Sequence, residues 1–287
     1  MQDIYLRANG IQFHLVEEGD KEKPLLLFLH GFPEYWYSWR HQIPVMAQNF
    51  YTVAPDLRGY NLTDKPTAGY DLNTLVDDIF ALMKALEKET VTLVAHDWGG
   101  AIAWAFAYRY PQCLDKLVVL NCPHPARLAE ELRGNPQQLL MSWYFFFFQL
   151  PWLPETLIRA DDYAFIEKAF RAPQIRPGTF SYEDIVKYKQ AIAQPGALTA
   201  AINYYRNALN LGQLDSLSDR YSGSKIKSPT MLIWGVEDFA LSLALTRNMK
   251  RFFDGEFRLE LIAECSHWTQ QEAPEEVNKL LQEFLFQ

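Results

Sequence analysis

The segment Ala95-His96-Asp97-Trp98-Gly99-Gly100 lies between an apolar run, Val91-Thr92-Leu93-Val94, and a helix-like run, Ala101-Ile102-Ala103-Trp104-Ala105-Phe106-Ala107. A strand, a sharp turn of small residues and a helix describe a nucleophile elbow, which exposes one side chain at its tip. Here that side chain is an aspartate. A carboxylate suits displacement at a saturated carbon, because it forms an ester through its own oxygen. Asp97 therefore points away from attack on carbonyls and toward opening of an epoxide or loss of a halide. The competing reading is an Asp N-cap on a helix that follows a buried strand, since Asp is among the preferred caps.

Three other segments bear on that choice. His30-Gly31-Phe32-Pro33-Glu34 follows the apolar strand candidate Leu25–Leu29 and reads as a Gly-Pro turn beside it. Cys265-Ser266-His267-Trp268-Thr269-Gln270 follows a second strand candidate, Phe257–Ile262. Cleavage of a covalent ester needs a base to activate water, and histidine is the side chain whose ordinary pKa suits that task near neutrality. Trp234-Gly235-Val236-Glu237-Asp238-Phe239 follows Thr230-Met231-Leu232-Ile233 and offers an acid on a loop, where it can accept from the imidazole and stabilise its cation. Asp238 is preferred over Glu237, although Asp is also common in turns.

With these residues assembled, the chain resembles the epoxide hydrolases of the α/β-hydrolase superfamily, from about Leu25 to the C-terminus. The likeness is carried by His30-Gly31-Phe32-Pro33-Glu34 with the trailing Trp36-Tyr37-Ser38-Trp39-Arg40, by His96-Asp97-Trp98-Gly99-Gly100 and by His267-Trp268-Thr269-Gln270. The resemblance implies Asp97 as nucleophile, Asp238 as orienting acid and His267 as base, in the chain order typical of that superfamily. It implies an oxyanion hole from the backbone N–H groups of Phe32 and Trp98. It also implies two lid tyrosines that hold the epoxide oxygen. One is Tyr205, in Asn203-Tyr204-Tyr205-Arg206-Asn207, and the other is Tyr144, four residues before Phe148-Gln149-Leu150-Pro151. The expected product is a vicinal diol, with no metal or organic cofactor.

Other candidates have plainer readings. His96, Glu34 and Trp268 are weaker pocket residues: His96 can bond within the elbow, and Glu34 can orient water or pair with a cation. Tyr204 and the run Trp143-Tyr144-Phe145-Phe146-Phe147-Phe148 are expected to pack, the run around a helix buried against the core. His124, between two prolines, reads as a loop residue at the lid hinge, and Asp56, Arg58 and Asp64 as structural. Cys265, two residues before His267, is a candidate for attack by electrophiles. Haloalkane dehalogenase shares the Asp, Trp and Asp/His set, but Phe32 stands where one dehalogenase group has Asn. Fluoroacetate dehalogenases place an Arg after the nucleophile, and Trp98 and Ala101 leave none. A non-catalytic binding protein on the same fold is the alternative from another class, and the complete Asp97, Asp238 and His267 set argues against it.

These residues need a scaffold, and the chain supplies the pattern of one. Strand candidates at Ile4-Tyr5-Leu6, 11–16, Leu25–Leu29, Tyr51–Pro55 and Leu117-Val118-Val119-Leu120 alternate with helical patterns such as 73–86, the signature of a mostly parallel sheet wrapped by helices. From 127 to 214 the rhythm gives way to helical and aromatic patterns broken by Pro151, Pro154, Pro173, Pro177 and Pro195. The expected organisation is an α/β-hydrolase core at 1–126 and 215–287, with a helical cap at 127–214 inserted after the sixth strand and 275–286 as the closing helix. At 287 residues, 49% hydrophobic and 22% charged, the chain can bury a large core. A net charge of −8 argues against nucleic acid or anionic membranes as partners. The start lacks the pattern of a signal peptide, and three cysteines without metal-like spacing fit a cytoplasmic protein. The expected partners are a lipophilic epoxide and water. Oligomeric state is left open.

Overall fold

The computed structural model describes residues 1–172, 174–208 and 224–286. Eight strands form one sheet in the order β1-β2-β4-β3-β5-β6-β7-β8. They are β1 (Gln2–Ala8), β2 (Ile11–Glu18), β3 (Leu25–Leu29), β4 (Tyr51–Pro55), β5 (Val91–His96), β6 (Leu114–Leu120), β7 (Thr230–Gly235) and β8 (Phe257–Ile262). β1 pairs with β2, and β2 with β4, in antiparallel fashion; all other pairs are parallel. A parallel sheet is covered on both faces, so its strands read as unbroken apolar runs. In β3 the alternation sends Leu25, Leu27 and Leu29 into one core cluster and Leu26 and Phe28 into the other. Each such leucine contributes roughly 2 kcal/mol when fully buried.

The helices α1 (Ile43–Met46), α2 (Leu72–Ala85) and α3 (Trp98–Arg109) follow the pattern expected of the first half. α2 is amphipathic, burying Leu75, Val76, Ile79, Leu82 and Met83, and its Asp71 cap accepts from the Thr74 N–H at 3.1 Å. α3 is buried on most of its circumference because it packs between the central strands β3, β5 and β6 and helix α2. Among the described residues, every element between β6 and β7 is helical: α4 (Pro125–Gly134), α5 (Pro136–Met141), α6 (Trp143–Phe147), α7 (Leu153–Arg171), α8 (Tyr182–Ile192) and α9 (Ala197–Ala208). α7 is broken at Ala160, Asp161, Asp162 and Tyr163, whose backbone leaves the helical region. α10 (Thr269–Glu272) and α11 (Pro274–Leu285) close the chain. None of the described helices is long and apolar enough to cross a membrane.

Two expected boundaries shift. The helical stretch starts at Pro125 rather than 127, because His124 caps it, its Nδ1 accepting from the Ala126 N–H at 3.3 Å. Pro154 lies within the first turn of α7, where a missing N–H costs nothing, and so starts a helix rather than separating two. Pro173 and the expected junction at 214 and 215 lie outside the described residues. The Phe run also packs differently from expectation: Phe148 is buried, but α6 has no buried residue and Phe146 is exposed.

Because β3, β5, β6, β7 and β8 are parallel, the loops after them share one edge of the sheet. The loop after β4 braces that edge. Asp56 accepts from His14 Nδ1, Asn61 Nδ2 and the Trp36 N–H, and Asp64 accepts from the Gln12 N–H. The Arg58 guanidinium forks onto both carboxylate oxygens of Asp78 in α2, each at 2.6 Å, and the Tyr204 hydroxyl of α9 donates to the Arg58 carbonyl at 2.8 Å. Asp56, Arg58 and Asp64 are thus structural, and Tyr204 packs, as expected. Removing one member of a buried ion pair leaves the other charge unpaired, at about 3–5 kcal/mol. Asp78→Ala should lower the unfolding free energy by that amount in a urea titration.

Candidate active site

β5 ends at His96, and Asp97 follows with φ +49° and ψ −119°. Such a backbone costs about 1–3 kcal/mol in an L-residue and persists only where its surroundings enforce it. Here they do so by close approach. A Cβ on Gly99 would lie 2.3 Å from the Leu29 carbonyl oxygen, and one on Gly31 would lie 2.3 Å from the Asp97 Cβ. Asp97 stands at the N-cap position of α3, yet its side chain makes no bond to that helix. Oδ1 accepts instead from the Phe32 N–H at 2.8 Å, and Oδ2 lies 3.7 Å from His267 Nε2. The N-cap reading of Asp97 therefore does not hold.

His267 Nδ1 bonds Asp238 Oδ2 at 2.7 Å. Asp238 is fully engaged: the Asn121 amide donates to Oδ2 at 2.7 Å, and the N–H groups of Ala240 and Leu241 donate to Oδ1 at 2.8 and 2.9 Å. The imidazole is thus flanked by two carboxylates. Burial opposes its charge, but Asp238 and Asp97 outweigh burial and push its pKa up to about 10. Burial also opposes the charge on Asp97, while the adjacent His267, the nearby His96 and the Phe32 N–H hold it below the ordinary carboxylate range. The resting pair is a carboxylate facing an imidazolium.

Two apolar cavities meet at this point. The larger, about 320 Å³, has Asp97 and His267 on its floor and Phe148, Phe165, Phe239 and Trp268 among its walls. The smaller, about 150 Å³, runs past Trp98, Ala101, Leu128 and Leu132. Asp97, Tyr144 and Tyr205 line both. The two tyrosine rings are 5.9 Å apart, and Trp98 stands edge-on to Tyr205 at 5.1 Å. Burial first, and the charge of Asp97 next, raise both phenols well above the usual tyrosine range, so both keep their protons.

Trp268 lies on the larger cavity, its indole N–H donating to the Ala169 carbonyl at 3.1 Å. Glu34 and His96 do not lie on either cavity. Both are fully buried behind it, where Glu34 Oε2 meets His96 Nδ1 at 2.8 Å and His96 Nε2 meets the His267 carbonyl at 2.9 Å. The Gly31 N–H and the side-chain amides of Gln270 and Gln271 also donate to Glu34. Three N–H donors and the His96 ring hold this carboxylate behind the cavities. Cys265 is likewise no target for electrophiles: it is buried, and burial with nearby Glu272 pushes its thiol up to about 12. His124 is buried too, and burial and Arg251 lower it to about 3, so it remains neutral.

Residues 24–274 match the family described as alpha/beta hydrolase fold. Human Epoxide hydrolase 4 is 38% identical over 98% of this chain and 78% of its own length. A Bacillus subtilis protein, AB hydrolase superfamily protein YfhM, is 41% identical over 98% of this chain and 96% of its own. The crystal structure of the Bacillus megaterium epoxide hydrolase with an inhibitor superposes with a TM-score of 0.92 at 33% identity, covering 99% of this chain and all of the other. The chain belongs to the epoxide hydrolase branch of the α/β-hydrolases.

In this hydrolase one residue of the site escaped the sequence reading. Asn121 follows β6 with φ +40°, gives its amide N–H to Asp238, and accepts at Oδ1 from the Gly235 N–H at 3.0 Å and Thr269 Oγ1 at 2.5 Å. It links the loops after β6, β7 and β8. The available signal was its place directly after a buried strand, at the same edge as the other site loops. A buried bond to a charged group is worth about 1.5–3 kcal/mol. Asn121→Leu should therefore lower kcat/KM by roughly 10- to 150-fold, with far-ultraviolet circular dichroism unchanged.

Proposed function

We propose that this hydrolase opens lipophilic epoxides to vicinal diols through an ester on Asp97. The observation that carries the reading is the placement of one ionised carboxylate opposite two protonated phenols, where two apolar cavities meet. An epoxide there has its ring at Asp97 and its apolar substituents in the cavities.

Asp97 attacks a ring carbon, the carbon–oxygen bond breaks, and the departing oxygen takes a proton from Tyr144 or Tyr205. The phenol bonds strengthen as that oxygen becomes basic, so they favour the transition state over the bound substrate. The phenolate regains a proton and His267 gives one up, which leaves a neutral imidazole beside the ester. His267 then takes a proton from water, and the hydroxide adds to the Asp97 acyl carbon. The Phe32 N–H, already donating to Oδ1, and the Trp98 N–H hold the resulting oxyanion. Collapse releases the diol, restores the Asp97 carboxylate and returns the imidazolium. Asp238, held by its donors, keeps Nε2 aimed at the ester. We propose that the helical stretch between β6 and β7 acts as a cap supplying Tyr144 and Tyr205. Lipophilic epoxide and water are the only partners this chemistry requires. A cytoplasmic setting is supported by three free, buried cysteines, Cys113, Cys122 and Cys265.

The charges also set a pH dependence. His267 is held up to about 10 partly by Asp97, and the ester is neutral, so the imidazole pKa falls once the ester forms. Alkylation needs only the Asp97 carboxylate, which stays ionised in mild acid; hydrolysis needs the neutral ring and slows as pH falls. Rapid-quench mass spectrometry should find more ester-bound enzyme at pH 5.5 than at pH 8. His267→Gln, mixed with styrene oxide, should retain one substrate mass on the intact protein. No adduct, or halide from bromoalkanes without diol from epoxides, would overturn the reading. Changing both Tyr144 and Tyr205 to Phe should slow adduct formation by about 10²- to 10⁴-fold.

A further inference from the structure

The wall of the larger cavity carries one feature that the chemistry above does not use. Lys168, on the last turns of α7, lines that cavity and is exposed at the solvent side. The neighbouring wall residues Met141, Trp143, Phe165 and Ala169 are apolar, and the other charged groups on the cavity, Asp97 and His267, are spent on each other at its floor.

Among the described residues, Lys168 has no ion pair, and the nearest carboxylates along its helix are occupied. Glu167 pairs with Lys189 at 3.1 Å and with Arg171 at 3.8 Å, and Asp162 pairs with Lys189 at 3.4 Å. A basic residue in a last helical turn can serve the helix dipole, but Arg171 stands nearer the end of α7 and already fills that place. What remains is a solvated ammonium at the entrance of an apolar cavity, on a protein whose net charge is −8. In such surroundings a local cation is a specific feature of the entrance, because the overall field repels anions.

We infer that Lys168 selects epoxides whose apolar stem ends in a carboxylate, which pairs with the ammonium at the cavity mouth while the ring lies at Asp97. This rests on the epoxide hydrolase reading and adds the polarity of the substrate's far end. The carboxylate stays near water, so its desolvation is slight and the pair is modest. Contact with the non-reacting end is the same in ground and transition states, so it acts on capture of substrate rather than on the chemical step. Lys168 is a specificity residue, and the aromatic walls carry the stem.

The test compares two probes, 4-carboxyphenyl glycidyl ether and its methyl ester, by diol formation in wild type, Lys168→Met and Lys168→Arg. Met keeps the apolar length of the side chain and drops the charge. The ratio of kcat/KM for the acid to that for the ester should fall about two- to fivefold in Lys168→Met and be retained in Lys168→Arg. The wild-type ratio should also shrink in 0.5 M salt, because an exposed pair is screened. A ratio unmoved by Lys168→Met and by salt would overturn the inference while leaving the epoxide reading intact. Absence of diol from both probes in wild type would overturn the epoxide reading and the inference together. Turnover of the ester by Lys168→Met shows that the variant is folded, so a lowered ratio reports selectivity.

Discussion

The site depends on the turn of Asp97 away from its own helix. At φ +49° the side chain forgoes an N-cap bond and faces the Phe32 N–H and His267 instead. That backbone is strained in isolation and is held here by contact, since Leu29 and His30 press against Gly99 and Asp97 presses against Gly31, leaving neither glycine room for a Cβ. The parallel sheet supplies the contact. β3 and β5 are hydrogen-bonded neighbours, so their C-terminal loops meet without any long-range accommodation.

The two carboxylates around His267 take different parts because their surroundings differ. Asp238 has both oxygens filled by the imidazole, the Asn121 amide and two backbone N–H groups, and it has no freedom to move toward a substrate. Asp97 has one short donor and opens onto the cavities. Chemically identical groups are thus divided by hydrogen-bond count and access, because each carboxylate answers to its own surroundings. The 3.7 Å between His267 and Asp97 is long for a hydrogen bond, and it permits attraction of charges without locking the Asp97 carboxylate in place.

Behind the cavity, Glu34 ties the same loops to the helical stretch above. Gln271 donates to Glu34 and accepts from the Tyr188 hydroxyl of α8 and from Arg40, while Asp184 of α8 accepts from the Tyr37 hydroxyl. A buried, fully bonded carboxylate of this kind orders its neighbours, because breaking any one bond leaves a costly orphan. The position of α8 over the core is thereby coupled to the loop that carries the Phe32 N–H.

Much of this was legible in the residues themselves. Strand candidates at Leu25–Leu29 and Tyr51–Pro55 were recovered whole, because a strand buried on both faces writes itself as a continuous apolar run. Asp97, Asp238 and His267 each lie in the loop that follows a parallel strand, so local order alone predicts which edge of the sheet they reach. Asn121 sits just as close to a strand, but nothing local marks it: its work is done by bonds to Gly235 and Thr269, far along the chain. Glu34 and His96 looked like pocket residues for the same reason, since their types suit a site and only the packing of Gln270 and Gln271 onto Glu34 removes them from it. Residue type and neighbouring pattern determined the chemistry available to this chain. Which side chains face the cavity, which brace it from behind and where a cation stands at its mouth were decided by tertiary packing, because those are distances between residues that the chain order does not encode.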